Sequence, residues 1–297
     1  MFASGLAASF ADHLQSWLST YAVVIVMLTV GALVERTHRL DANPSRQATR
    51  WGLAYSVAAS VVDHVVRPLT TVIAMAIVQT CGGGLIELPS HGAWAVLSVV
   101  VMFVTIDLLE YAYHRLQHTV PFLWRLHSLH HSASTFNVTV TLRHHWLDAV
   151  IKVCCLYPVA AILFKVDLWI LGVVGLPFLL VNYFAHLNLR VELGRFGAWV
   201  NSPQYHRLHH ARDAAYFDKN FTQFLPLWDW LGGTMRLPEA NEWPVTGLDD
   251  GREPATVLDA LVWPLRSQRN TNARGGTSSD GIVNAAMSAD AELGRAP

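Results

Sequence analysis

The chain has 297 residues, 52% hydrophobic and only 14% charged, with a mean hydropathy of +0.30; soluble domains carry about a quarter charged residues, so the balance points to a membrane protein. A formal net charge of -1 and a pI near 6.9 supply no basic field, and no nucleic acid is expected as a partner. The three cysteines, Cys81, Cys154 and Cys155, are odd in number and two are adjacent, which excludes a disulfide framework and suits a reducing, cytoplasm-facing environment.

A bilayer core needs about 20 mostly apolar residues in a helix. The N-terminus has no basic region ahead of its apolar run, so a retained span is expected there and not a cleaved signal peptide. Residues 17–34, WLSTYAVVIVMLTVGALV, form that first span. Residues 51–79 are long enough, but Asp63, His64, Arg67 and Pro68 interrupt them, leaving either one kinked span or an interfacial piece followed by a short one. Residues 92–113 are apolar through Ile106 and then turn polar on one side. Residues 149–184 read as a helical hairpin turned at KVD 165–167, with Pro158 and Pro177 inside it. The fold class expected is all-α, a polytopic membrane helical bundle of about four to five spans with a histidine-rich helical cap.

The loop at 36–50 carries Arg36, Arg39, Arg46 and Arg50, and the positive-inside rule puts it in the cytoplasm. If 51–79 crosses once, alternation brings the polar segments after residues 113 and 185 out on that same side. The expected localisation is therefore integral, multi-pass, with the histidine motifs facing the cytoplasm. Residues 255–265 read as a short amphipathic helix at the interface, and from Ser267 the composition reads as a disordered tail. The organisation expected is spans and loops over 1–91, a histidine-rich functional region over 92–235, an interfacial segment over 236–266 and a tail over 267–297.

Eleven of the fifteen histidines fall between residues 114 and 210. His114 and His118 are i, i+4 on the helix leaving the third span, so they share a face, with Asp107, Glu110 and Tyr111 on or beside the same stripe. The figure H-x-x-H-H then occurs twice, as His127, His130 and His131 and as His206, His209 and His210. A helix that turns three imidazoles to one side is a poor apolar surface and a good metal grip. Imidazole suits iron, zinc and copper, and eight such histidines exceed the ligand set of a single zinc site, so two metals are the economical reading. Haem would call for isolated axial histidines on facing spans.

The stretches DLLEYAYHRLQH at 107–118, LWRLHSLHHS at 123–132, FNVTVTLRHH at 136–145, HLN at 186–188 and SPQYHRLHH at 202–210 together resemble the membrane-bound fatty acid hydroxylase and sterol desaturase superfamily, and 220–234 is similar to its closing motif. The resemblance implies a non-haem di-iron oxygenase in the membrane. Its implied ligands are His114, His118, His127, His130, His131, His206, His209 and His210, with His186 as a ninth. Asp107, Asn137, Arg143, Asn188 and Asn220 also fall on family positions, where they can orient imidazoles or hold the bundle together. His145 competes with His186 as a ligand; it sits in a more irregular stretch and suits hydrogen bonding or substrate positioning. Two departures stand out: Trp146 follows His145 where the family usually has Pro, and the closing FGT is GGT.

The implied reaction is hydroxylation or desaturation of a lipid with two iron ions and O2, in lipid biosynthesis or modification. Zinc lacks redox chemistry, so iron is preferred for an unactivated C–H bond. The sequence has neither a GxGxxG motif nor a cysteine cluster for an iron–sulfur centre, so electrons are expected from a cytochrome or ferredoxin fed by an NAD(P)H-dependent reductase. The competing readings are a histidine-rich metal transporter, which would want ionisable groups along a path through the membrane, and a non-catalytic metal-binding membrane protein.

Overall fold

A computed structural model describes residues 2–41 and 45–266. The expected tail lies outside the described residues. Among them, five helices are long and apolar enough to cross a membrane. They are α1 (Phe2–Glu35, apolar over Trp17–Glu35), α2 (Arg46–Thr80), α3 (Trp94–Thr119), α5 (Trp146–Leu163) and α6 (Leu168–Ala185). Their outward faces carry Val23, Ile25, Val26, Val65, Leu69 and Val72 in the open. So much contiguous apolar surface suits lipid better than water. The interrupted segment at 51–79 is one continuous helix, with Pro68 inside it.

The length of α2 has a structural use. Its 35 residues rise about 52 Å, well beyond a hydrocarbon core of about 30 Å. The surplus packs on the cap, where Tyr55 joins Leu129, Leu248, Ala260 and Trp263 in a buried cluster and donates to the His144 carbonyl. The segment expected at the interface thus turns one side inward: Ala260 and Trp263 are buried, and Leu258 and Leu265 are exposed.

Within α5 the five residues Lys152–Leu156 form a π-turn. It stands just before Pro158, whose ring cannot donate to the carbonyl of Cys154. At the far end of the α5–α6 hairpin, Phe164–Lys165 pairs in parallel with Ile86–Glu87, two residues each.

The cap forms where α3 and α6 end and α5 begins. The short helix α4 (Pro121–His131) follows α3 with proline at its first position, where a missing N–H costs nothing. Helix α7 (Pro203–His209) starts the same way, and Ser202 caps it by accepting from the Tyr205 amide at 3.2 Å. The lower end of α1 is tied in by Glu35, whose Oε1 accepts from the amides of Val138 and Asn188 at 2.6 and 3.0 Å.

Candidate metal centre

The structure gathers nine imidazoles in two groups: His114, His118, His127, His131 and His209, and His130, His186, His206 and His210. Within each group the candidate ligand atoms lie within 4.8 Å of one another. Each H-x-x-H-H figure serves both groups. His127 and His131, one turn apart on α4, enter the first group while His130 enters the second. On α7 the i, i+4 pair His206 and His210 enters the second group, and His209 crosses to the first. Residues i and i+4 nearly eclipse, whereas i+3 is turned to the other side of that line. The repeated motif is therefore a device for two adjoining sites, and the rings of His131 and His210 stack 4.4 Å apart at their junction.

The nitrogens themselves face inward. In the first group the Nε2 atoms of His114 and His127 are 3.0 Å apart, those of His127 and His131 3.2 Å, and those of His118 and His131 3.2 Å. In the second, His186 lies 3.2 Å from His130 and 3.0 Å from His206, and His206 lies 3.2 Å from His210, again between Nε2 atoms. Two imidazole nitrogens sharing one metal at about 2.0–2.1 Å stand roughly 2.9–3.4 Å apart for octahedral to tetrahedral angles. The spacing fits.

Tautomers fit as well. The Nδ1 of His114 donates to the Phe221 carbonyl at 2.7 Å, that of His186 to Asn182 at 2.7 Å and that of His209 to Lys219 at 2.8 Å. A neutral imidazole with its proton on Nδ1 offers a bare lone pair at Nε2. The His209 Nε2 is buried without a hydrogen-bond partner, a costly state that a metal would relieve. Burial drives the protonation of His127, His130, His131, His206 and His210 well below the ordinary imidazole range, and neighbouring histidines push the same way. The same cause puts His186 at about 3 and His209 at about 4, where the Asn182 and Lys219 carbonyls partly oppose it. All are neutral near pH 7, the form that binds metal.

The loop holding two of those carbonyls is shaped by Asp218 and Asn220, which adopt φ of 58° and 59°. Asn and Asp enter the left-handed region more readily than other side chains. Asn220 is locked there: its Nδ2 donates to the Tyr205 and Arg236 carbonyls at 3.2 and 2.9 Å, and its Oδ1 accepts from the Arg236 amide at 2.7 Å. The Lys219 and Phe221 carbonyls flank it. Asp229 braces the same loop, accepting from the Phe221 and Thr222 amides and from Tyr205 and Thr234.

The other polar residues named from sequence brace the frame and do not touch the groups' imidazoles. Asp107 accepts from the Phe224 and Leu225 amides and the Trp228 indole, tying the closing motif to α3. Asn137 accepts from the amide and hydroxyl of Thr139. Arg143 is buried over the Trp51 ring and pairs with Glu253 at 2.7 Å. Asn188 binds the backbone of Asp41 in both directions.

His145 faces away from both groups. Its Nδ1 caps α5 by accepting from Leu147, and its Nε2 donates to the Leu261 carbonyl at 2.9 Å. Of the two roles expected for it, these contacts are hydrogen bonds; the neighbouring His144 is the one beside the groups, its ring stacked on His130 at 4.2 Å between centroids. Both departures from the family pattern are explained locally. Trp146 is the first residue of α5, where proline is favoured but not required. At Gly232 an added Cβ would overlap the Tyr111 hydroxyl, which fills that space.

Beside the histidines a cavity of about 890 Å³ runs between α3, α5 and α6, lined by Met102, Ile106, Ala160, Val174 and Phe178. It is within the size range of ligand pockets. Glu110, His144, Lys152, Asn182 and Gln223 line both this cavity and a small recess walled by His114, His127, His130, His186 and His206.

A family model described as fatty acid hydroxylase matches residues 99–234. The match covers 136 of the 297 residues. The matched region contains every one of the nine clustered histidines. Alkylglycerol monooxygenase from Xenopus tropicalis is 31% identical over 158 residues, covering 53% of this chain and 34% of its own. Ornithine lipid hydroxylase OlsE from Rhizobium tropici is 35% identical over 144 residues, 47% of this chain and 42% of its own. Cholesterol 25-hydroxylase-like protein 2 from Danio rerio is 27% identical over 241 residues, 74% of this chain and 80% of its own. The chain spans about a third of the length of the alkylglycerol monooxygenases it matches. No solved structure matches it.

Proposed function

We propose that this chain is a membrane-embedded, non-haem di-iron oxygenase that hydroxylates or desaturates a lipid, with the histidine cap on the cytoplasmic side. The observation that carries the reading is the pair of inward-facing imidazole groups abutting a long apolar cavity. The relatives support the substrate class, since their names describe oxygenation of alkylglycerols and hydroxylation of ornithine lipids. A transporter would need ligands strung across the membrane, whereas these crowd one end of the spans.

Bound iron would supply the redox chemistry that zinc lacks, oxidising a C–H bond with O2. The balance for hydroxylation is one lipid C–H, one O2, two electrons and two protons giving one C–OH and one water. The chain's own residues do the rest. The five-histidine and four-histidine groups would each hold one iron, and the Phe221, Lys219 and Asn182 carbonyls fix three of the rings in the binding tautomer. The cavity wall excludes water and guides an apolar chain toward His144. Electrons come from a separate cytochrome or ferredoxin.

The test is incubation of iron-loaded protein with membrane lipid, a reducing system and ¹⁸O-labelled O2. The expected result is reductant-dependent O2 uptake with either one labelled oxygen in a lipid product or a new double bond. Full metal loading without O2 uptake or any oxidised lipid sinks the reading.

A further inference from the structure

We propose that Lys152, held by Glu110, is the polar anchor of the lipid cavity and selects a substrate that carries an uncharged oxygen. The inference rests on the oxygenase reading of the neighbouring histidines and names the lipid class it takes.

Glu110 on α3 and Lys152 on α5 form an ion pair of 2.7 Å inside an apolar wall, and Tyr157 donates to the other Glu110 oxygen at 2.9 Å. Taking both charges out of water into an apolar wall costs desolvation even when they are paired. A purely structural brace would be sealed on all sides. This one is not: the Lys152 and Glu110 side chains stay 22% and 11% accessible, in that order, and both line the large cavity and the histidine recess. The pair stands where the cavity meets the metal groups.

An ammonium carries three N–H donors. Among the described residues, the Lys152 Nζ has one hydrogen-bond acceptor, a Glu110 oxygen. The Tyr113 ring lies 5.6 Å away at its centroid, and the donor capacity that remains is open to an acceptor in the cavity. The π-turn at Lys152–Leu156 begins with this residue, and such turns are often retained at functional positions.

The charge balance narrows the ligand. Glu110 already neutralises Lys152, so a carboxylate or phosphate would add an uncompensated charge to an apolar cavity, which is strongly unfavourable. A hydroxyl, ether or carbonyl oxygen accepts from the ammonium without that penalty. A plain hydrocarbon leaves the donors unmet.

The probes are 1-hexadecanol, hexadecane and hexadecanoate, compared at equal mole fraction in detergent with iron-loaded full-chain protein, by equilibrium binding. The alcohol is expected to bind about ten-fold or more tighter than the alkane, the value of a hydrogen bond to a charged group, and tighter than the carboxylate. Lys152→Met should remove the preference without weakening hexadecane, and Lys152→Arg should retain it. Because Lys152→Met strands Glu110, the double variant Glu110→Gln/Lys152→Met keeps the test open if the single variant does not fold. Equal binding of alcohol and alkane by the wild type, preferred binding of hexadecanoate, or an alcohol preference that survives in the double variant overturns the proposal. Iron content on the same samples reports separately on the oxygenase reading: lost selectivity with full iron overturns only the anchor, and retained selectivity with no iron overturns only the oxygenase.

Discussion

His130 and His131 are neighbours in sequence, yet their rings stand at 89° and belong to different nitrogen groups. Helical geometry makes this possible, since successive residues point about 100° apart. One short helix can therefore build two sites.

The first prediction concerns stoichiometry. Wild-type protein purified under reducing, iron-replete conditions should carry about two metals. His131→Ala and His209→Ala should deplete the first group, and His186→Ala the second, each leaving about one metal and abolishing lipid oxidation. Elemental analysis reads this directly. One metal or none in the wild type removes the two-site reading, and full loading in His186→Ala removes that residue from the ligand set.

Asn220 supplies a second test, because it aims ligands without touching metal. Asn220→Ala loses three hydrogen bonds and must hold φ near 59° without the side chain that suits it. The expected cost is roughly 2 kcal/mol or more, with a lower thermal midpoint and weaker metal retention as the Lys219 and Phe221 carbonyls drift. Asn220→Gly, which restores backbone freedom but not the bonds, should fall between. Unchanged metal retention in Asn220→Ala would show that the loop carbonyls do not position His114 and His209.

Much of this site was legible because it is written locally. The spacing H-x-x-H-H puts imidazoles on adjoining faces of a turn, whatever the fold, and the hydropathy runs mark the spans that deliver them. The rest depends on tertiary packing. That His130 and His209 cross to the group opposite their helical partners follows from how α4 meets α7. The carbonyls of Asn182, Lys219 and Phe221 that fix three rings are backbone groups, and no residue type announces them. Asp229 was hidden in the closing motif, where only its buried amide partners reveal it. His144 and His145 are chemically identical neighbours, and the start of α5 decides which one faces inward.

Acid should dismantle the cap. His186 is held at about 3 against an ordinary value of 6.5, and His209 at about 4. Below pH 6.5 the unfolded chain takes up protons that the folded site refuses, so stability falls as pH drops through that window. His186 alone contributes a loss of about 1.4 kcal/mol per pH unit there. Metal-free protein in detergent should show a falling unfolding midpoint from pH 7 to pH 5, and the loaded protein should release metal over the same range. A midpoint insensitive to pH in this window contradicts neutral, buried imidazoles.

The proposed sidedness rests on the arginine-rich loop and on alternation of the candidate spans. Cys81 is exposed at the end of α2 remote from the cap, and Arg212 is exposed beside α7. In a Cys154→Ser/Cys155→Ser background, a membrane-impermeant thiol reagent should reach native Cys81 from outside the cell. An Arg212→Cys variant that also carries Cys81→Ser should react only after the membrane is opened. Labelling of both from one side would break the alternation of five spans.

The final prediction separates His144 from His145. His144 lines the lipid cavity, stacks on His130 and is held at about 3 by burial and the nearby Lys152 charge, so it stays neutral at the mouth of the site. It belongs to neither nitrogen group, and His144→Ala should keep both metals while turnover falls about 10 to 100-fold, the scale for a residue supporting a ligand. His145 instead caps α5, and His145→Ala should cost about 1 kcal/mol of stability. Its activity per folded molecule should stay near that of the wild type, and His145→Asn, which can cap in its place, should recover the lost stability. The two variants thus separate along different axes, turnover for one and unfolding midpoint for the other. If His145→Ala loses turnover at full stability while His144→Ala does not, the inward face at the start of α5 has been assigned to the wrong histidine.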